Sequence, residues 1–114
     1  MLQLSFSSTT TTVIAVGDLD LAARPAFEDV MTQVRSLRRE HLVVDMCDVD
    51  FIDSTGTSFL MALADAGHSL GSRAVLRGLS ERDRFVLEIC GALPMFRIDA
   101  EHRCEDRQRR RASA

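Results

Sequence analysis

Lysine is absent from this 114-residue chain: all fourteen of its basic residues are arginine. That excludes a P-loop lysine, a Schiff-base lysine and a lysine that neutralises a transferring phosphoryl group, so several enzyme classes drop out together. Cysteine is sparse as well. Cys47, Cys90 and Cys104 form no C-x-x-C pair and leave one thiol over under any pairing, a pattern that argues against a disulfide framework or a zinc site. It reads instead as small apolar fillers or a solvated tail thiol. Long apolar runs are missing too. The longest, Phe59 to Ala64, falls far short of the roughly 20 residues that span a bilayer, and the start "MLQLSFSSTTTT" lacks a basic region followed by an apolar one. The expectation is a cytoplasmic protein with no membrane contact.

What is present is enough for one core. At 46% apolar residues, a chain of this length suits a single compact domain. Its charge is divided unevenly. Residues 1–102 carry nine arginines against fifteen acids, net −6, and residues 103–114 carry five against two, net +3. An acidic body disfavours direct nucleic-acid binding and suits a protein partner with basic patches. The end "RCEDRQRRRASA" has too little apolar content to pack, so residues 101–114 read as an Arg-rich tail, mobile or weakly helical. Its "RRRAS" could draw a basophilic kinase or nucleic acid, but so short a run is read as solvated.

Periodicity supplies the elements. Leu2, Leu4 and Phe6 alternate with polar residues, and "TVIAV" follows the turn-like "SSTTT", which predicts a hairpin. Pro25 suits the first turn of a helix over 24–39, where Phe27, Val30, Met31, Val34 and Leu37 recur at helical spacing and Arg35, Arg38 and Arg39 sit at the C-terminal end. "HLVVDM" is a β-branched run suited to a buried strand. A helix from Ser54 or Thr55 to about His68 carries Phe59, Leu60, Leu63 and Ala66 as its buried stripe. "RAVLRGL" is a short strand. Ser80 and Asp83 suggest a capping box, with Phe85, Val86, Ile89, Cys90 and Leu93 as the apolar face of a third helix that ends near Gly91; "MFRI" is a last strand. The order ββαβαβαβ predicts an α/β domain, a mixed and mostly parallel sheet of about five strands packed with three to four helices.

The stretch "VVDMCDVDFIDSTGTSF", Val43 to Phe59, runs from a strand through a crowd of aspartates into small hydroxyl residues. At the strand-to-helix junction, Ser54 reads first as an N-cap for free backbone N–H groups, with Gly56 keeping the turn open to an approaching partner. Asp48 and Asp50 form a D-x-D that alternation would place on one face, and with Asp45 and Asp53 they suggest a magnesium site for phosphoryl transfer. Against that stand the missing lysine, the lack of a glycine-rich loop, and the absence of any metal-motif spacing among His41, His68 and His102. The reading is therefore non-enzymatic, with no cofactor and no metal.

Three segments in order, "GDLDLAARP", "LVVDMCDVDFIDSTG" and "VLEICGALPMFRI", together resemble the STAS domain, and specifically the bacterial anti-sigma factor antagonists. The resemblance covers residues 2 to about 98 and implies a STAS domain over 1–100. It implies that Ser54, the serine after the aspartate of the family's D-S-[ST]-G motif, is phosphorylated by an anti-sigma factor that is also a serine kinase. Binding that anti-sigma factor would free a sigma factor for transcription, and phosphorylation would switch the binding off. A serine phosphatase is a further possible partner under the same resemblance. Asp18 and Asp20 of the "G-x-L-D" loop, with Asp53, Ser54, Thr55, Gly56 and Thr57, would form the partner-binding edge. Two departures stand out: Gly56-Thr57-Ser58 replaces the family's more apolar continuation, which makes Thr55, Thr57 and Ser58 rival acceptors, and the Arg-rich end represents the family's final amphipathic helix poorly. The alternative is a STAS module that works without phosphorylation, as a scaffold or small-ligand sensor.

Overall fold

The computed structural model describes residues 1–104; of the Arg-rich tail expected over 101–114, together with the family's final helix, residues 105–114 lie outside the described residues. Strands β1 (Leu2–Phe6), β2 (Thr10–Leu19), β3 (His41–Ile52), β4 (Val75–Arg77) and β5 (Arg97–Asp99) form one sheet in sequence order. The β1–β2 pair is antiparallel, joined by a tight turn in which the Ser7 hydroxyl accepts from Thr10 N–H. Every later pair is parallel. Parallel neighbours need a crossover, and helices α1 (Arg24–Leu37), α2 (Ser54–Leu70) and α3 (Glu81–Ile89) supply the three. Short 3-10 turns at Leu21–Ala23 and Leu93–Met95 finish the connections.

The core fills the space between helices and sheet. Val13 and Leu19 of β2, Val44, Met46 and Val49 of β3, Val34 of α1, and Leu60 and Leu63 of α2 are all fully buried. Phe27 of α1 stacks on Phe59 of α2, ring centroids 4.2 Å apart and nearly parallel, and so ties the two helices together. The stripe expected on α2 is buried throughout. Helix α1 stops at Leu37, before the expected Arg39, because Arg38 turns into the left-handed region at φ 52°. Arg39 then donates to the Ser7 carbonyl and lies over the Phe6 ring.

Three expectations need correction. Helix α3 turns a different face inward: Leu87 and Asp83, four apart, are buried, while Phe85 and Ile89 are 61% and 68% exposed. The Ser80 hydroxyl does cap Asp83 N–H at 3.1 Å, but the carboxylate does not reach back. The second correction concerns β3, which continues to Ile52 rather than ending with "HLVVDM". Against β2 it carries an extra residue between Asp45 and Asp48 and another between Val49 and Phe51. Such bulges re-aim side chains, so the simple alternation expected of Asp48 and Asp50 is interrupted. The Arg82 guanidinium donates to the Asp50 carbonyl, which the second bulge leaves without a ladder partner.

The third correction is to the cysteines. Cys47 and Cys104 are joined in a disulfide, 57 residues apart in sequence and 5.3 Å apart at Cα, which leaves exposed Cys90 as the odd thiol. Counting spacings could not reveal this, because the fold carries the segment after β5 back alongside the middle of β3.

Candidate functional site

The site begins with two parallel strands that end together. Leu19 of β2 lies opposite Ile52 of β3, and the Asp53 N–H donates to the Leu19 carbonyl at 3.2 Å. Asp53 is extended, at φ −109° and ψ −169°, the conformation from which a residue caps the helix that follows. Its Oδ1 accepts from Gly56 N–H at 2.9 Å and its Oδ2 from Leu21 N–H at 3.2 Å. Its carbonyl takes both the N–H and the hydroxyl of Thr57, each at 2.9 Å. One aspartate thus fastens the start of α2 to the loop after β2.

This changes the roles expected along the motif. Asp53, not Ser54, is the N-cap. Gly56 is buried, and a Cβ there would collide with the Leu19 carbonyl; the glycine lets α2 approach β2 rather than opening the turn to a partner. Thr57 is 3% exposed, with its hydroxyl committed to the Asp53 carbonyl. What remains outward are Ser54 and Ser58, both exposed, and half-buried Thr55. The Ser54 hydroxyl makes no hydrogen bond among the described residues, whereas Asp53, Gly56 and Thr57 around it are hydrogen-bonded.

The loop expected to join this edge is there. Gly17 is left-handed at φ 82°, Asp18 is exposed opposite Phe51, and Asp20 begins the first 3-10 turn, its carbonyl accepting from Ala23 N–H at 3.0 Å. The Asp20 side chain makes no cap hydrogen bond. Exposed Leu21, adjacent in chain, and half-exposed Phe51 add apolar surface beside these acids.

Sequence reasoning missed the other wall. Ser54, Thr55 and Ser58 open onto a groove of about 590 Å³ between α1 and α2, whose α1 side carries Arg24, Glu28 and Arg35. These arginines lie 19 or more positions from Ser54, and packing of α1 on α2, the Phe27–Phe59 stack included, brings them alongside. At the groove, the helix N-terminus and two guanidinium groups all favour an anion.

Two further groups of calls can be placed. Among the described residues the four aspartates weighed as a magnesium site do not gather into a metal-holding group; Asp45 pairs with Arg77, and Asp53 accepts from backbone N–H groups. No helix among the described residues is long and apolar enough to cross a membrane.

The STAS domain family matches residues 2–103, and the chain belongs to it. Among solved structures, the anti-sigma factor antagonist SpoIIAA in its unphosphorylated form aligns with a TM-score of 0.71 at 18% identity, covering 100% of this chain and 98% of that one. An anti-sigma factor antagonist from Mycobacterium paratuberculosis aligns at 0.73 with 20% identity, over 96% and 92%. A serine-to-glutamate variant of RsbS from Moorella thermoacetica aligns at 0.74 with 17% identity, over 99% and 98%. Identities this low establish the fold alone. Among curated proteins, none matches by sequence.

Proposed function

We propose that this protein is an anti-sigma factor antagonist: a non-catalytic binding protein that docks an anti-sigma factor with serine kinase activity, frees a sigma factor for transcription, and is switched off when Ser54 is phosphorylated. The observation that carries the reading is the contrast at the start of α2, where an exposed, unbonded Ser54 hydroxyl stands on a frame in which the neighbouring Asp53, Gly56 and Thr57 are all engaged. A kinase needs a hydroxyl it can reach, and a partner needs a surface that does not rearrange. The partner-binding edge comprises Asp18, Asp20, Ser54 and Thr55, with exposed Leu21 and Phe51 as apolar contacts inside a charged surround. Asp53, Gly56 and Thr57 support that edge from beneath.

A phosphate at Ser54 would add about −1.5 to −2 charges at pH 7. Arg24, on the facing wall of the groove, offers it a guanidinium, and Asp53 and the Asp18–Asp20 loop oppose it. The partner would then meet a groove whose charge has changed, with the fold beneath unaltered. Thr57 is withdrawn as a rival acceptor because it is buried; Thr55 and Ser58 remain the alternatives. The test is to incubate the chain with the kinase-type anti-sigma factor recovered with it from the native cell, then map the phosphosite by mass spectrometry. Ser54→Ala should keep binding and lose phosphorylation. Stoichiometric phosphorylation of that variant at Thr55 or Ser58 would reassign the acceptor, and absence of any such partner would favour the phosphorylation-independent scaffold.

A further inference from the structure

Away from the groove, the middle of β3 carries a second concentration of chemistry. Cys47 is 5% exposed, and its sulfur, that of half-buried Cys104 and a ring nitrogen of His102 all lie within 4.8 Å of one another. Asp45 stands beside them. Its Oδ1 accepts from Cys47 N–H at 2.9 Å, and its Oδ2 accepts from Arg77 Nε at 3.0 Å and lies 3.9 Å from His102 Nε2. The backbone has made room for this group. Gly78, left-handed at φ 73°, passes so close that a Cβ would lie 2.7 Å from the Cys104 sulfur and collide with that of Cys47. A cleft of about 450 Å³, with Gly78, Ser80, Arg84, Asp99, His102 and Cys104 among its walls, leads from solvent to the cluster.

Two thiolates and an imidazole are the donor set that a borderline-soft divalent cation prefers, and zinc takes them in tetrahedral geometry. With metal–ligand bonds of about 2.0–2.3 Å, the donors of such a site lie about 3.3–3.8 Å apart. The separations here are within reach by side-chain rotation once the two sulfurs part. Asp45 is an outer carboxylate beside the imidazole, its Oδ2 3.9 Å from His102 Nε2 and held by Arg77, and the fourth tetrahedral position falls to water. We propose that Cys47, His102 and Cys104 form a zinc-class metal site that opens when the disulfide is reduced. Disulfide and metal are then two alternative ways of closing the same joint between β3 and the segment after β5.

The chemistry balances with a dithiol as reductant. Two electrons and two protons pass from the dithiol to the Cys47–Cys104 bond, giving two thiols and the oxidised, cyclic form of the reductant. Zinc then binds both sulfurs as thiolates, with release of two protons to solvent. The HxC spacing of His102 and Cys104 fixes two ligands in one short segment, while Cys47 comes from β3. Sequence inspection had only part of the site in view at either place.

The test uses the full chain, reduced with a dithiol, freed of reductant without air, and titrated with zinc against a chromophoric chelator. The oxidised chain is titrated in parallel. One equivalent of zinc bound by the reduced chain and none by the oxidised chain is the expected result, with Co²⁺ in place of zinc giving thiolate-to-metal charge-transfer absorption. His102→Ala, at a half-buried position, should weaken binding by at least about tenfold while circular dichroism shows the fold retained. Cys90→Ser, at an exposed thiol outside the cluster, should leave it unchanged. Equal zinc binding by oxidised and reduced chains, unaltered affinity in His102→Ala, or no binding by the folded reduced chain would each overturn the proposal.

Discussion

The C-terminal end and the middle of β3 handle reactive groups in opposite ways. Where the strand runs out, Asp53 and Thr57 use their polar atoms inside the frame, and the Ser54 hydroxyl is displayed to solvent. In the middle of the strand the reactive sulfur of Cys47 is turned inward and joined to Cys104, and the nearest charges, Asp45 and Arg77, are paired. A group displayed on a rigid frame can be modified by another protein without disturbing what holds it. A group built into the frame cannot, so any chemistry there alters how the chain is tied together. The first arrangement suits a recognition surface; the second suits a structural joint.

The largest expected effect tests the joint. Opening the Cys47–Cys104 bond, which closes a long loop, should lower stability by about 3 kcal/mol. The change would appear as a lower urea midpoint in the reduced chain, with a higher m-value because the unfolded chain without the cross-link is less compact. If oxidised and reduced chains unfolded at the same midpoint, the cross-link would contribute nothing, and the contrast between the end and the middle of β3 would collapse. Next in size is Gly56→Ala. The added methyl meets the Leu19 carbonyl; overpacking at such a contact costs about 3 kcal/mol, and the better helix propensity of alanine returns about 1. A net loss of about 2 kcal/mol by thermal or urea unfolding is expected. A gain in stability would mean that α2 can move away from β2, and that the displayed hydroxyl does not rest on a rigid support.

The same contrast explains which parts could be read in advance. The motif end was legible because its residues are contiguous: Asp53, Ser54, Thr55, Gly56 and Thr57 follow one another at a strand-to-helix junction, where local chemistry dictates capping. The element order followed for the same reason, since each strand and most helices carry their own periodicity. What failed was whatever depends on distant segments meeting. Arg24 and Arg35 reach the groove through packing of α1 on α2. Cys104 reaches Cys47 through the path of the chain after β5. Helix α3 misled because nine residues hold too few turns for periodicity to choose between the Phe85–Ile89 and Asp83–Leu87 faces. Even within the motif, neighbouring hydroxyls divided by burial, Thr57 inward and Ser54 outward, and composition carries no signal for that.

A smaller effect sharpens the comparison within the motif end itself. Asp53→Ala removes the acceptor for Gly56 N–H and for Leu21 N–H. Loss of a helix N-cap costs about 1 kcal/mol, and the second, more exposed hydrogen bond adds about 0.5. Stability should fall by about 1.5 kcal/mol. Because the Leu21 contact pins the loop that carries Asp18 and Asp20, partner affinity measured by calorimetry should fall as well. A variant that lost stability but bound with unchanged affinity would show that the loop is held by β2 alone.

The smallest expected change in stability belongs to Ser54→Asp, and its smallness is what the comparison requires. The new carboxylate would sit on the first turn of α2, where the helix N-terminus favours a negative charge by about 0.3–1 kcal/mol. Asp53, one residue earlier and already bonded to two N–H groups, repels it by a similar amount at an exposed position. The terms nearly cancel. The urea midpoint should therefore match that of the unsubstituted chain to within about 0.5 kcal/mol, and salt should reduce even that difference. Affinity for the anti-sigma factor should drop in the same variant, since nothing in the partner's surface was shaped for the added charge. A loss of more than about 1 kcal/mol in folding would place the Ser54 hydroxyl inside the frame rather than on it, and would remove the physical basis for a switch that acts on binding alone.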